Sequence, residues 1–295
     1  MSEARPKTNT GRLFVVATPI GNLEDITLRA LRVLREVRWV ACEDTRQTGK
    51  LLRHHGIGTR TVSYHEHNER ERSGELVAAL ERGEDVALVS DAGTPLVSDP
   101  GFRLVGAAIA RGIRVVPVPG ASAVLGALAA SGLPCEEFLY AGFLPARRGE
   151  RRRALERLRT EARTLVLFEA PHRLAGSLAD AADVLGDRQA TVGRELTKVY
   201  EEFRRGTLSQ LAAHFAETAP RGEITLVIGP PGEAPEPSHA GAAAAATASL
   251  PERVAELVRT EGLPRNAALK RAARELGIPR REAYQRLLAE GRRHG

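Results

Sequence analysis

Residues 13–46, LFVVATPIGNLEDITLRALRVLREVRWVACEDTR, carry the pattern that decides the fold of the first half of the chain. A short β-branched run, Leu13 to Ala17, predicts a strand. Ile26, Ala30, Val33 and Val37 then recur at helical spacing, with Leu28, Leu31 and Leu34 widening the apolar stripe and Asp25 placed to cap the start. A second run, Arg38 to Cys42, predicts the next strand. Strand, helix and strand over so short a span make a crossover unit. The same alternation continues through predicted strands at Thr61–Tyr64, Val86–Ser90 and Arg114–Val118. Residues 12–131 therefore read as a parallel sheet with crossover helices, and 11–135 as an N-terminal α/β domain.

Beyond this domain the mixture is less regular. Strands are expected at Phe138–Phe143, Thr164–Glu169, Ala190–Leu196 and Ile224–Ile228, with helices between, giving a second α/β domain over 136–230. Residues 231–249 are rich in Pro, Gly and Ala and read as a linker. The last segment, 250–295, carries helical patterns at Pro251–Glu261, Arg265–Leu276 and Arg280–Glu290. Gly277, Ile278 and Pro279 form a turn of the helix-turn-helix kind between the last two. Seven basic residues fall between Arg265 and Arg286. This tail reads equally as a nucleic-acid grip and as a small stabilising appendage.

With 295 residues, 42% of them hydrophobic, the chain can bury a sizeable core. No run approaches the roughly 18–20 apolar residues of a membrane span, and Met1–Thr10 lacks an apolar signal core, so a soluble cytoplasmic protein is expected. Two cysteines, Cys42 and Cys135, supply neither a disulfide framework nor a four-cysteine zinc site, and no metal is expected. The net charge is +6. Of 43 basic residues, only Lys7, Lys50, Lys198 and Lys270 are lysines. Guanidinium forks suit phosphate, and Arg147, Arg148, Arg151, Arg152 and Arg153 are clustered, so a polyanionic partner and a solvated helix face are both open readings.

Ligands of an open parallel sheet bind where the strands end. Here the first strand runs into Thr18, Pro19, Ile20, Gly21 and Asn22, and the second into Glu43, Asp44, Thr45 and Arg46. The third leads to His65, Glu66, His67, Asn68 and Glu69, the fourth to Asp91, Gly93, Thr94 and onward to Gly101, and the fifth to Pro119–Ala123. Five polar loops at one edge locate a site. Neither G-x-G-x-x-G nor G-x-x-x-x-G-K-[ST] occurs there, which argues against dehydrogenase and P-loop readings. His65 and His67 share a face of an extended chain but lack a third ligand, so hydrogen bonding or substrate contact is the expected role. Glu169, His172 and Arg173, and Arg194, Glu195 and Lys198, occupy comparable junctions in the second domain.

Read in order, TPIGNL (18–23), CEDTR (42–46), SYHEHNE (63–69), SDAGTPLVSDPG (90–101), PVPGASA (117–123), GFLP (142–145), FEAPHR (168–173) and GRELTK (193–198) resemble the branch of the tetrapyrrole methylase superfamily that methylates small-subunit ribosomal RNA. The resemblance covers nearly all of residues 11–230. It implies two α/β domains of tetrapyrrole methylase type with a cofactor cleft between them, plus a small C-terminal helical, helix-turn-helix-like extension. It also implies S-adenosylmethionine as cofactor, a homodimer, and methyl transfer to the ribose 2'-hydroxyl of a cytidine in the decoding region of small-subunit ribosomal RNA. Carried over by motif, the cofactor contacts are Thr18, Pro19, Gly21, Asp91, Thr94, Leu96, Val97, Ser122 and Ala123.

The 2'-hydroxyl is a weak acid, so a carboxylate or imidazole near it would help remove its proton. By loop position the candidates for this catalytic role are Glu43, Asp44, His65 and Glu195. Arg46, His67, Asn68, Arg147, Arg148, Arg173 and Lys198 are the candidates for substrate contact. Two other functions fit parts of the sequence: carbon methylation of a tetrapyrrole, and a helix-turn-helix nucleic-acid-binding regulator whose α/β part senses a ligand.

Overall fold

The computed structural model describes residues 10–232 together with 250, 254, 257–259 and 264–275. Two compact units divide the chain, residues 1–234 and 235–295. The first opens with β1 (Arg12–Val16), α1 (Leu28–Glu36), β2 (Trp39–Cys42), α2 (Thr45–His54), β3 (Arg60–Ser63), α3 (Glu69–Glu81), β4 (Val86–Val89), α4 (Phe102–Ala110), β5 (Arg114–Val118) and α5 (Ala123–Ser131). The five strands form one sheet in the order β3-β2-β4-β1-β5, every pairing parallel.

Strand periodicity sends alternate side chains to opposite faces. Phe14 and Val16 of β1, Val40 and Cys42 of β2 and Ala87 and Val89 of β4 pack with Ala30, Val33 and Leu34 of α1 and Leu52 of α2. Leu13, Ala41, Val86 and Leu88 pack on the other face with Leu76, Val77 and Leu80 of α3 and Leu104 and Ala108 of α4. The chain thus leaves adjacent strands β1 and β4 toward opposite faces, and a crevice opens between their carboxyl ends. The apolar stripe predicted the helix α1, but its cap is Thr27, whose hydroxyl accepts from the Ala30 amide at 3.0 Å. Asp25, expected as the cap, lies one turn earlier in a short 3₁₀ helix begun by Asn22. A hydroxyl immediately before the helix reaches the free amides; Asp25 is two residues too early.

The second sheet comprises β6 (Phe138–Phe143), β7 (Thr164–Glu169), β8 (Gln189–Arg194), β9 (Glu202–Thr207) and β10 (Ile224–Ile228), ordered β6-β7-β10-β8-β9. It is mixed: β6 and β7 are parallel, the other pairings antiparallel. The helices α6 (Arg148–Arg157), α7 (Leu174–Leu185) and α8 (Leu208–Glu217) cover one face through Leu155, Leu178, Leu211 and the inward Leu165, Leu167 and Leu226. The other face receives α5 from the first sheet, with Val124, Ala127 and Leu128 against Val166 and Val227. Thr191 Oγ1 and Arg205 Nε both donate to the Ser131 carbonyl at 3.1 Å, fastening the end of α5 to this sheet.

In the second unit, Leu250, Val254 and Leu257 bury together with Ala268, Leu269, Ala272 and Ala273 of α9 (Arg265–Glu275). The predicted helix Arg280–Glu290, the turn at Gly277–Pro279 and most of the predicted linker lie outside the described residues. No helix among the described residues is long and apolar enough to cross a membrane.

Candidate active site

The crevice between β1 and β4 is closed at its base by their own loops. Thr18 and Gly93 exchange both backbone hydrogen bonds, at 2.9 and 3.0 Å, and Thr18 Oγ1 donates to the Ser90 carbonyl. Gly93 adopts φ +78°, and a Cβ there would lie 3.3 Å from Ile20, so a side chain would crowd the loop junction and strain the backbone. Above this bridge lies a cavity of about 330 Å³, within the range of small-molecule sites. The first sheet contributes Ile20, residues 92–94 and 97–99, and the start of α5. The second sheet contributes Phe143, Phe168–Pro171 and residues 222–225.

Of the nine expected cofactor contacts, Thr94, Val97, Ser122 and Ala123 line this cavity. Ser122 also caps α5 by accepting from the Leu125 amide. Thr18 and Pro19 are buried beneath the cavity, and Gly21 stands against the second sheet's loop, where a Cβ would come within 2.4 Å of the Lys198 side chain. Asp91 is exposed and accepts from the Asp44 amide at 3.0 Å, joining the loops after β2 and β4. Leu96 has φ +73° and packs against the α3–α4 core.

The four acid–base candidates separate by environment. Asp44 caps α2, and its hydrogen bonds from Arg46 hold the carboxyl below its ordinary range. Glu195 accepts from Lys198 Nζ at 2.8 Å and from the Glu223 amide at 2.9 Å, and is likewise held low. A carboxylate stabilised in this way is a weak base. His65 has a buried Nδ1 without a partner, yet its ring is not part of the cavity wall. Glu43 is exposed beside the crevice.

A fifth acid, absent from the sequence-based set, lies in the wall itself. Burial pushes the Asp99 carboxyl up to about 6; the charges of Glu43 and Asp91 add to the rise and a hydrogen bond from Ser90 opposes it. Its loop is held by two non-glycine residues at positive φ, Leu96 (+73°) and Ser98 (+64°), and by a 2.6 Å hydrogen bond between Ser98 Oγ and Tyr140 Oη of β6. Such strain persists only where surrounding contacts enforce it. The motif SDAGTPLVSDPG contains Asp99, but only the loop's folded path distinguishes it from Asp91.

The substrate candidates also divide. Arg46 and His67 are exposed, whereas Asn68 closes its own loop, accepting from the His65 amide and donating to the Ser63 carbonyl. Arg173 pairs with buried Glu169 at 2.6 Å, and Lys198 is shared between Glu195 and Glu223. In the arginine cluster, Arg151 is buried against Asp180 of α7 at 2.7 Å, joined on the same carboxylate by Arg148 and Arg152. Arg147 and Arg148 remain largely exposed. The cluster is therefore partly an anchor of α6 and partly a solvated face.

Among the described residues no group of three His, Cys, Asp or Glu side chains is arranged to hold a metal ion. The cavity instead suits a small organic cation with polar ends. Ile20, Val97, Val124, Phe143 and Phe168 offer apolar surface, while Asp99 and Glu223 supply acceptors.

Fold and cavity together define a two-sheet α/β protein with a small-molecule cleft walled by both sheets. Residues 12–212 match the model of the Tetrapyrrole (Corrin/Porphyrin) Methylases, and the chain belongs to that family, among relatives named ribosomal RNA small subunit methyltransferase I. It is 51% identical to the protein of that name from Mesorhizobium japonicum, over 94% of this chain and 91% of that one. With the Pseudomonas aeruginosa protein of the same name it shares 50% identity over 95% and 98% of the two chains. Among solved structures, uroporphyrin-III-C-methyltransferase from Thermus thermophilus aligns at 25% identity with a TM-score of 0.53, covering 74% of this chain and 94% of that one. A structure of that enzyme complexed with S-adenyl homocysteine aligns at 20% identity and a TM-score of 0.52, over 74% and 97%, and has the same fold.

Proposed function

We propose that this protein is an S-adenosylmethionine-dependent methyltransferase that modifies the ribose 2'-hydroxyl of a cytidine in the decoding region of small-subunit ribosomal RNA. The observation that carries this reading is the near full-length similarity to proteins named for small-subunit ribosomal RNA methylation. The sheet-edge cavity supports the reading, being of small-molecule size and walled by both sheets. S-adenosylmethionine, when bound, supplies a methyl group on a positively charged sulfur. Thr94, Val97, Ser122 and Ala123 would hold it, with Ile20 and Phe168 against its apolar parts.

Methyl transfer is an in-line displacement, and alignment of the reacting atoms contributes up to roughly 7–11 kcal/mol when ideal. The bridge between Thr18 and Gly93 and the Ser98–Tyr140 bond fix the two walls that set this alignment. Asp99 Oδ accepts the 2'-hydroxyl proton. Its carboxyl, near 6, is ionised at neutral pH yet more basic than an ordinary aspartate, as a general base at that pH requires. The charge of Glu43 contributes to that basicity, and Arg46 and His67 at the crevice rim contact the RNA. The Glu195–Lys198–Glu223 and Glu169–Arg173 pairs hold the second-sheet wall in place.

In this reading the chain works as a cytoplasmic homodimer. Exposed Phe102 and Ile109 on one side of α4 are suitable surface for a second copy. Sedimentation of the full chain tests this, with a monomer at micromolar concentration contradicting it.

The functional test offers labelled S-adenosylmethionine with small-subunit RNA, a porphyrin precursor and DNA in parallel. Label on RNA alone is expected. Label on the porphyrin precursor would instead assign carbon methylation, and DNA binding without turnover would assign a regulator.

A further inference from the structure

At the opposite edge of the first sheet from the cleft, a second cavity of about 330 Å³ opens beside the starts of β2 and β3. Three arginines line it: Arg35 from the end of α1, Arg38 just before β2 and Arg60 at the start of β3. All three are exposed, and none has an ion-pair partner among the described residues. Arg35 donates to the His55 carbonyl at 3.2 Å. Arg38 and Arg60 lie over the Trp39 ring at 5.5 and 5.7 Å from its centre. The neighbouring Glu84 carboxylate is already engaged by Trp39 Nε1 at 2.9 Å and by Arg82. Gly56 and Gly58 complete the rim, and at neither would a Cβ meet another atom within 4 Å, so the backbone there is open to close approach.

Three positive charges around one concavity, with Glu84, whose carboxylate feels the Arg38 charge, as a nearby acid already bonded to Trp39 and Arg82, repel one another less once an anion joins them. Guanidinium forks match the tetrahedral oxygens of phosphate. Contact with the Trp39 ring restrains two of them and reduces the freedom that binding would remove. We propose that Arg35, Arg38 and Arg60 form a phosphate site that holds the sugar–phosphate backbone of the RNA substrate at a distance from the reacting nucleotide. This rests on the RNA methyltransferase reading. The strands between the two cavities have four or five residues, about 13–17 Å, so one structured RNA can span both. Contacts of this kind fix register without reading bases.

Trp39 is the chain's only tryptophan and lies against Arg38 and Arg60, so its emission reports on those two lining residues. The experiment titrates the full chain with a small-subunit RNA fragment and, separately, with inorganic pyrophosphate. It then measures RNA affinity against salt for wild type, the triple variant Arg35→Ala/Arg38→Ala/Arg60→Ala, and Arg35→Glu alone, which leaves the Trp39 contacts intact. RNA should change Trp39 emission saturably. The triple variant should flatten the slope of log affinity against log salt by about 2–3 and weaken binding about 10- to 100-fold near 0.1 M salt. Arg35→Glu should weaken binding in the same direction, while S-adenosylmethionine affinity and transfer rate at saturating RNA stay unchanged. If wild type transfers methyl groups to RNA but the variants keep its slope and affinity, the phosphate site is refuted and the function stands. If the variants flatten the slope and weaken RNA binding as expected yet wild type transfers nothing, the function fails and the site stands. A Trp39 response to pyrophosphate with none to RNA would assign the pocket to a free phosphate ligand and overturn the RNA assignment.

Discussion

Asp99 and Glu195 are both acids on loops near the cleft, and their surroundings send them in opposite directions. Lys198 and the Glu223 amide stabilise the Glu195 charge, while burial and the charge of Glu43 oppose that of Asp99. Asp99→Asn should therefore slow methyl transfer about 10²- to 10⁴-fold without weakening S-adenosylmethionine binding. In wild type, kcat/KM should fall as pH drops below about 6, and the variant should lose that inflection; loss of cofactor affinity instead would make Asp99 a binding residue. Stability should move the other way. A carboxyl raised to about 6 costs nothing below its unfolded value near 4, costs progressively more as pH rises from 4 to 6, and reaches a constant full cost above that. For this half-buried group the discounted cost is about 1–2 kcal/mol, so Asp99→Asn should gain about that in urea denaturation at pH 8 and nothing at pH 4. The sequence located the loop but not the residue. Which of its acids enters the cavity follows from the left-handed turns at Leu96 and Ser98 and from Tyr140, more than forty positions away.

At the scale of elements, α6 depends on one buried carboxylate. Burial alone would raise Asp180, but the hydrogen bonds from Arg151 and Arg148 outweigh it and hold the carboxyl below its ordinary value. The resulting stabilisation is present above the unfolded pKa and is lost as pH falls from about 4 through the lower folded value. Asp180→Ala leaves Arg151 buried and unpaired, and should cost about 3–5 kcal/mol in chemical denaturation. Arg147→Ala, at the exposed end, should stay within about 0.5 kcal/mol. The run of arginines was plain in the sequence, but its division into anchor and solvated face depends on α7. Strand β9 was missed for a related reason: EFRRGT is an exposed edge strand whose charged residues show no buried alternation. The mostly buried β7 and the buried β10 were legible because their sequences, LVLF and ITLVI, are predominantly apolar.

Across the whole molecule, the alternation in residues 12–118 made the parallel sheet and its ligand-bearing edge readable, because each crossover is local in sequence. The mixed order β6-β7-β10-β8-β9 was not readable, since β10 pairs with strands that precede it by about thirty to sixty residues. The two sheets meet through α5, and only that meeting produces the cavity wall made by Phe143, Phe168 and Thr225. The central claim is that this cleft serves 2'-O-methylation of RNA. Its most direct test is methyl transfer from labelled S-adenosylmethionine to unmodified small ribosomal subunits, followed by digestion and identification of the labelled nucleoside. A 2'-O-methylcytidine from the decoding region is the expected product. Cofactor binding with no label on any RNA, or label on a base carbon or nitrogen, would contradict the claim.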